Sequence, residues 1–91
     1  MESSLKLKVF GSKGLLKILE TLSQHGPLNI THLARKVGMN SGNVAMHLKK
    51  LVACSLVTEK RYGKIRMIRP GFTKLSIQFH RGKRARITVD D

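Results

Sequence analysis

The sequence is poor in acidic residues, with five Asp and Glu against 18 Lys and Arg, so the net charge is +13. The acidic residues are dispersed along the chain, and no two of them form a convincing pair for acid–base chemistry. No glycine-rich segment has the spacing of a phosphate-binding loop. We therefore expect no enzymatic activity and no cofactor.

Cysteine, aromatic residues and long apolar runs are also scarce. The single cysteine, Cys54, cannot form an internal disulfide, which is typical of a reducing compartment. No apolar run approaches the ~20 residues of a membrane span, and residues 1–4 lack a basic-then-apolar leader. Aromatic residues make up only 4% of the chain, so the core must be aliphatic. These absences predict one small cytoplasmic domain without membrane attachment.

The excess of positive charge indicates the class of partner. A domain this basic most often binds a polyanion, and nucleic acid is the commonest one. The four histidines, at positions 25, 32, 47 and 80, show no metal-ligand spacing, so no metal site is expected. The chain also carries no evident signature of a pocket for a small-molecule effector.

Three helices are predicted between residues 12 and 53. Ser12 can cap the first, which extends to about Gln24. Asn29 can cap the second, Ile30 to Val37, and Asn40 the third, which extends to about Ala53. Apolar residues recur at helical spacing in each segment and are expected to face a common core. The second and third helices are separated only by a glycine-containing turn at Gly38.

Strands are predicted on both sides of these helices. Residues 5–9 alternate strictly and favour a short N-terminal strand. Residues 56–62 and 65–69 are β-prone, and Gly63-Lys64 between them suits a hairpin turn. Residues 75–79 and 85–89 indicate a second hairpin. A helix over residues 73–80 remains an alternative, because Phe72, Leu75 and Phe79 also have helical spacing.

The segment from Leu28 to Leu51 carries a family resemblance. It contains Leu33-Ala34, the turn at Gly38, and a third helix that ends in His47-Leu48-Lys49-Lys50-Leu51. In this it resembles the ArsR-type and MarR-type transcriptional regulators over residues 11–70. The resemblance implies an α+β winged helix-turn-helix fold, with three helices followed by a β-hairpin called the wing. It implies a single DNA-binding domain over residues 1–91, with a core at 11–70 and an extension at 71–91.

The chain also departs from the family pattern. Metal-sensing ArsR members carry two cysteines at the positions of Asn29 and Thr31, which cannot supply thiolates. Met46 stands where the middle of the recognition helix often has a basic side chain. The sequence also supports poorly the C-terminal dimerising helix of the family. The resemblance therefore implies DNA binding but does not carry over metal sensing or a particular base preference.

Residues near the start of a recognition helix reach base edges in the major groove. Asn43 is the best candidate for reading a base, although it could merely assist the helix start. Gly42 could allow close backbone approach or be only a small residue, and Met46 could touch a thymine methyl or be simply exposed. Lys49, Lys50 and His47 suit phosphates, although the lysines could form only a solvated face. The predicted DNA-binding residues of this helix are Asn40, Ser41, Gly42, Asn43, Met46, His47, Lys49 and Lys50.

The wing supplies a second predicted contact. Arg61, Lys64 and Arg66 suit a narrow minor groove or the backbone, and strand alternation predicts that Lys64 and Arg66 share a face. Tyr62 either packs at the base of the wing or stacks on a base. A further basic run, Arg81, Lys83, Arg84 and Arg86, either extends the DNA footprint or is a solvated hairpin tip.

These features predict a sequence-selective regulator of transcription, a repressor that binds double-stranded DNA as a homodimer and is associated with the nucleoid. A dimer is expected because one small module reads few base pairs, and its surface could be the first strand, the first helix or the terminal hairpin. An architectural DNA-binding protein with little sequence preference is the main alternative, and the charge favours it. A protein-interaction module is a weaker third reading.

Overall fold

Three capped helices and two β-hairpins follow one another along the chain. The computed structural model describes residues 11–83 and 85–90, and the strand predicted over residues 5–9 lies outside them. The helices are α1, Lys13–His25; α2, Ile30–Val37; and α3, Ser41–Ala53. The strands are β1, Leu28–Asn29; β2, Val57–Tyr62; β3, Ile65–Pro70; β4, Lys74–Gln78; and β5, Arg86–Asp90.

Each helix begins at the predicted capping residue. The Ser12 hydroxyl accepts a hydrogen bond from the backbone N–H of Leu15 at 3.3 Å. Asn29 Oδ1 accepts from the N–H of His32, and Asn40 Oδ1 from the N–H of Asn43, both at 2.8 Å. Such caps each contribute about 1 kcal/mol, because they satisfy an N–H that has no partner inside the helix. Local sequence therefore determines where all three helices start.

The helices bury one aliphatic cluster, as the scarcity of aromatic residues predicts. Each helix contributes the apolar positions that recur at helical spacing, and the base of the wing closes the cluster. No Phe or Tyr is among its buried members, although Phe72 packs against it from outside. The buried members are Leu15, Ile18, Leu19, Leu22, Leu33, Ala34, Val37, Val44, Leu48, Leu51, Cys54, Leu56, Val57 and Ile68.

A short strand that sequence reasoning missed joins the wing to the helices. Strand β1 pairs antiparallel with β3, with Leu28 opposite Ile68 and Asn29 opposite Met67. The resulting sheet has the order β1-β3-β2, so the wing's second strand is central. A strand is recognised in sequence by alternating apolar and polar residues, and the two residues of β1 are too few to show that alternation. Because β1 leads directly into α2, this pairing fixes the wing against the helix-turn-helix.

The wing turns at Gly63-Lys64, as predicted. Tyr62 and Ile65 form the last strand pair before the turn. The φ angle is +62° at Gly63, and Lys64 is not among the described residues with positive φ, which is the pattern of a type II′ turn. Lys64 therefore lies in the turn rather than in a strand, so strand alternation does not place it on one face with Arg66, as the sequence analysis expected.

The second hairpin is also present, so the alternative of a helix over residues 73–80 is wrong. Strands β4 and β5 pair antiparallel from Lys74 opposite Asp90 to Gln78 opposite Arg86. Leu75 and Val89 pack against the core from this hairpin. Both strands lie one residue nearer the hairpin's base than predicted, so Phe79 and Ala85 belong to the connecting loop.

Candidate nucleic-acid interface

Helix α3 presents a polar arc on the side opposite to its buried face. Val44, Leu48 and Leu51 are buried against the other helices. The opposite arc is exposed and includes most of the residues predicted to contact DNA. Met46, in the middle of that arc, is 53% exposed. The exposed members are Asn40, Ser41, Gly42, Asn43, Met46, Lys49 and Lys50.

Two asparagines at the start of α3 have different roles. The side chain of Asn40 accepts the hydrogen bond that caps the helix. Asn43 supplies only its backbone N–H to that cap, and its exposed carboxamide forms no hydrogen bond within the part of the chain that the structure describes. A carboxamide can donate and accept at once, as the major-groove edge of adenine requires. Asn43 rather than Asn40 is therefore the side chain suited to reading a base.

His47 lies beside the buried face of α3 and is only partly exposed. Its ring lies against α1: a Cβ atom built on Gly14 would stand 3.0 Å from Nε2 of His47. The residue is partly buried, and its Nδ1 atom is buried with no hydrogen-bond partner in the region that the structure describes. The imidazole therefore packs against α1, and a phosphate contact by His47 stays a prediction.

One face of the wing changes from apolar to charged along its length. Val57, Glu59 and Arg61 alternate on β2 and lie opposite Pro70, Ile68 and Arg66 of β3. Val57 and Ile68 are buried at the base. Towards the turn, Arg66 donates to Glu59 Oε1 from Nε at 2.9 Å and from Nη2 at 2.5 Å. The charge of Arg66 is thus partly engaged within the wing, whereas Arg61 is exposed and forms no such ion pair within residues 11–83 and 85–90.

The other face of the wing carries an aromatic residue at its tip. Tyr62 is the last residue of β2 and is 55% exposed, so it does not pack at the base of the wing. Lys60 Nζ lies 5.5 Å from the centroid of the Tyr62 ring, within the range of a cation–π contact. Ile65, its strand partner, is 54% exposed.

A groove joins α3 to the charged face of the wing. It has a volume of about 310 Å³ and an apolar floor that ends in charged side chains. Lys49 enters it from the helix, and the Glu59–Arg66 pair enters it from the wing. Its lining residues are Ala45, Leu48, Lys49, Val52, Glu59 and Arg66. The arc of α3 and the wing therefore form one continuous surface rather than two separate sites.

Helix α2 adds a basic group that the sequence analysis did not include. His32, Arg35 and Lys36 are exposed and line a shallow depression. In a helix-turn-helix the helix before the recognition helix crosses the DNA backbone, so these side chains suit phosphates. Their spacing of three and four residues is visible in the sequence and could have identified them.

Other kinds of site find little support in the part of the chain that the structure describes. No group of three His, Cys, Asp or Glu side chains there is close enough to hold a metal ion. Likewise, none of the helices in residues 11–83 and 85–90 has the length and apolar character needed to cross a membrane.

Comparison with known proteins agrees with this fold. The model of the family described as HVO_A0114 matches residues 12–73. No curated protein matches the sequence. Among solved structures, NolR from Sinorhizobium fredii superposes with a TM-score of 0.68 at 27% identity, covering 74% of this chain and 66% of that one.

Two further structures are similar. The AntR antimony-specific transcriptional repressor has a TM-score of 0.66 at 30% identity and covers 70% of this chain and 58% of that one. HlyU from Vibrio cholerae N16961 has a TM-score of 0.66 at 20% identity and covers 72% of this chain and 71% of that one. An identity this low supports a shared fold alone. These neighbours are winged-helix regulators of the ArsR type, so the predicted fold and resemblance are confirmed. The chain spans less than two thirds of the length of NolR and AntR.

Proposed function

The chain belongs to the HVO_A0114 family, and from this membership and its winged-helix fold we propose that it is a DNA-binding regulator of transcription. It binds duplex DNA with α3 in the major groove and the wing on the minor groove or backbone. The observation that carries this proposal is that α3 and the wing present polar and basic side chains on either side of one groove. The net charge of +13 complements a phosphate backbone.

The residues of this surface divide by the part of DNA that each can reach. Asn43 reads a base edge, and Met46 lies against a thymine methyl. Lys49 and Lys50 lie farther along α3 and hold phosphates, as do Arg35 and Lys36 on α2. Arg61 and Lys64 place positive charge at the wing tip, where a narrow minor groove attracts it. Base reading thus falls to few side chains, and most of the affinity is electrostatic.

The regulator acts as a homodimer and as a repressor. A single module of this size contacts few base pairs, and two copies on a pseudo-palindromic site would multiply the discrimination. The AntR structure is that of a transcriptional repressor, which supports repression rather than activation by this chain. A DNA-bound regulator of this kind works in the cytoplasm on the nucleoid.

An architectural protein that coats DNA is the second candidate, and the charge favours it. Lys49 and Lys50 are the only basic residues on the exposed arc of α3 beyond the partly buried His47, whereas the surface outside α3 is strongly basic. Such a distribution of charge suits binding that depends on contacts to the DNA phosphates more than on the base sequence.

Selection of bound sequences from a random duplex pool tests the proposal. A regulator yields a defined site, and a dimer yields two half-sites about one helical turn apart. The selected duplex and a scrambled duplex are then titrated at several salt concentrations, alongside sedimentation analysis of the free protein. Equal affinity for both duplexes would favour the architectural candidate, and no retardation of either at low salt would overturn DNA binding altogether.

A further inference from the structure

The β4–β5 hairpin is attached to the core at one end and basic at the other. Leu75 and Val89, near its open end, pack against the core, and Thr73 N–H donates to Asp90 O at 2.7 Å. Between residues 73 and 89 the sequence has no acidic residue. Among the described residues, the positive charges that lie toward the loop are Arg81, Lys83 and Arg86. We call this hairpin the arm; it packs on the core through Leu75 and Val89 and has basic side chains at its loop end.

The end of this arm has a defined turn. The backbone N–H of Lys83 donates to the carbonyl of His80 at 3.0 Å, and Gly82 has a φ of +75°. His80, Arg81 and Lys83 are all exposed around this turn. We call Phe79, His80, Arg81 and Lys83 the C-terminal tip.

Phe79 is the most exposed large hydrophobic residue among those that the structure describes, at 82%. It continues the row of Leu75 and Ile77, but it falls one residue beyond β4. An exposed aromatic ring forgoes the free energy that burial of its apolar surface would contribute. Its cationic neighbours argue against pairing with a second copy, because like charges would meet. They fit a partner that offers negative charge beside an apolar surface.

The wing has the same arrangement. Its tip combines the exposed Tyr62 with Lys60, Arg61 and Lys64. Both hairpins thus carry one exposed aromatic ring among positive charges. Duplex DNA offers the matching surface, since phosphates flank the minor groove and apolar side chains can insert between its base steps. The long dimension of the molecule, 47 Å, equals about 14 base pairs of duplex, so one chain has the length for two separate contacts.

We propose that the C-terminal tip is a second DNA-binding element, in which Arg81 and Lys83 hold phosphates while Phe79 lies against the minor-groove edge. The element lengthens the footprint and adds affinity without changing which bases α3 prefers. This proposal rests on the proposed function, because it requires that the chain binds duplex DNA.

The test compares two double variants of the whole chain that remove the same charge. Arg81→Gln/Lys83→Gln changes the tip, whereas Lys17→Gln/Lys74→Gln changes exposed lysines on α1 and at the base of the arm. The tip variant should lower the log–log salt slope by about 1.8 and shorten the hydroxyl-radical footprint at one end. The control should change the slope by less than half as much and leave the footprint intact. Phe79→Ala should weaken binding about fivefold at an unchanged salt slope.

The outcomes are distinguishable. If the parent chain binds duplex and Lys50→Ala weakens that binding, but the tip and control variants behave alike, only the second element is overturned. If the parent binds no duplex, both proposals fail. A change of oligomeric state in Phe79→Ala, or a loss of binding to anionic phosphatidylserine vesicles with DNA binding intact, would assign the tip to another partner. Thermal unfolding of each variant checks that these exposed substitutions preserve the fold.

Discussion

The imidazole of His47 occupies the space that a side chain at position 14 would need. A Cβ on Gly14 would stand 3.0 Å from Nε2 of His47, closer than most such contacts allow. Gly14 lies in the first turn of α1, and His47 lies in the middle of α3. The absence of a side chain at position 14 therefore allows α3 to pack closely on α1 at His47.

A double-mutant cycle measures that contact. In the His47→Ala background, Gly14→Ala should raise the free energy of unfolding by roughly 0.5–1 kcal/mol, because alanine loses less entropy in a helix. In the parent, the crowded imidazole should cancel that gain, giving a coupling of about 1 kcal/mol. Urea unfolding of the four proteins supplies the numbers. Identical effects of Gly14→Ala in both backgrounds would contradict the contact.

Asn43→Ala should relax the preference for particular bases, since the lost carboxamide is worth about 1–3 kcal/mol of discrimination. Lys50→Ala should instead weaken binding to all sequences and lower the salt slope by about 0.9. Both are read from selected-sequence profiles and salt titrations. Asn40→Ser is the matched control, because serine keeps the cap while removing a neighbouring carboxamide. A profile unchanged by Asn43→Ala would remove this residue from base reading.

Gly42→Ala separates stability from binding. The new Cβ would lie 3.4 Å from Asn40 Oδ1, an ordinary contact, and alanine favours the helix, so stability should rise by about 0.5–1 kcal/mol. If the backbone at Gly42 approaches DNA closely, the same methyl group should weaken binding about tenfold or more. Thermal unfolding and a duplex titration on one preparation give both values. Unchanged affinity in the stabilised variant would show that Gly42 is only a small residue.

Glu59→Gln releases Arg66 from its ion pair. The freed guanidinium becomes available to a phosphate, so DNA affinity should rise about two- to threefold and the salt slope should steepen by as much as about 0.9. Stability should change by less than about 1 kcal/mol, because the side chains are about one-third exposed, 36% and 33%. Glu20→Gln, an exposed position on α1, removes the same charge without touching the wing. Equal gains from the two variants would mean that only net charge matters.

Ser55→Gly should stabilise the end of α3. Ser55 has a φ of +61°, a left-handed conformation that costs a residue with a side chain about 1 kcal/mol. The N–H of Leu56 bonds to the carbonyl of Leu51 across this residue at 2.9 Å, which closes the helix. Chemical unfolding should show a gain of about 1 kcal/mol. Gly38→Ala, at φ +73° after α2, should lower the free energy of unfolding by a similar amount. A loss for Ser55→Gly or a gain for Gly38→Ala would refute the argument.

The helices and their caps could be predicted because their causes are local. Ser12, Asn29 and Asn40 bond to backbone groups only three residues away, and the buried positions follow the helical period. The turn at Gly63 is local in the same way. The second hairpin was predicted with a helix as its rival, because a short alternating run also fits helical spacing, and pairing with β5 decides between them.

The exposed arc of α3 follows from the same period, which places Asn43 and Lys50 opposite the buried face. Charge and length, read directly from the sequence, indicate a polyanion as partner. The sequence by itself therefore determined the helices, the aliphatic core, the winged-helix resemblance and the basic character of the surface.

Only the tertiary structure decided how separate segments meet. The pairing of β1 with β3 depends on register between Leu28 and Ile68, and the ion pair of Glu59 with Arg66 depends on register within the wing. The position of His47 depends on α1, which lies far away in sequence. Contacts of this kind arise from the packing of one segment against another, and neither segment's own pattern specifies the distance between them.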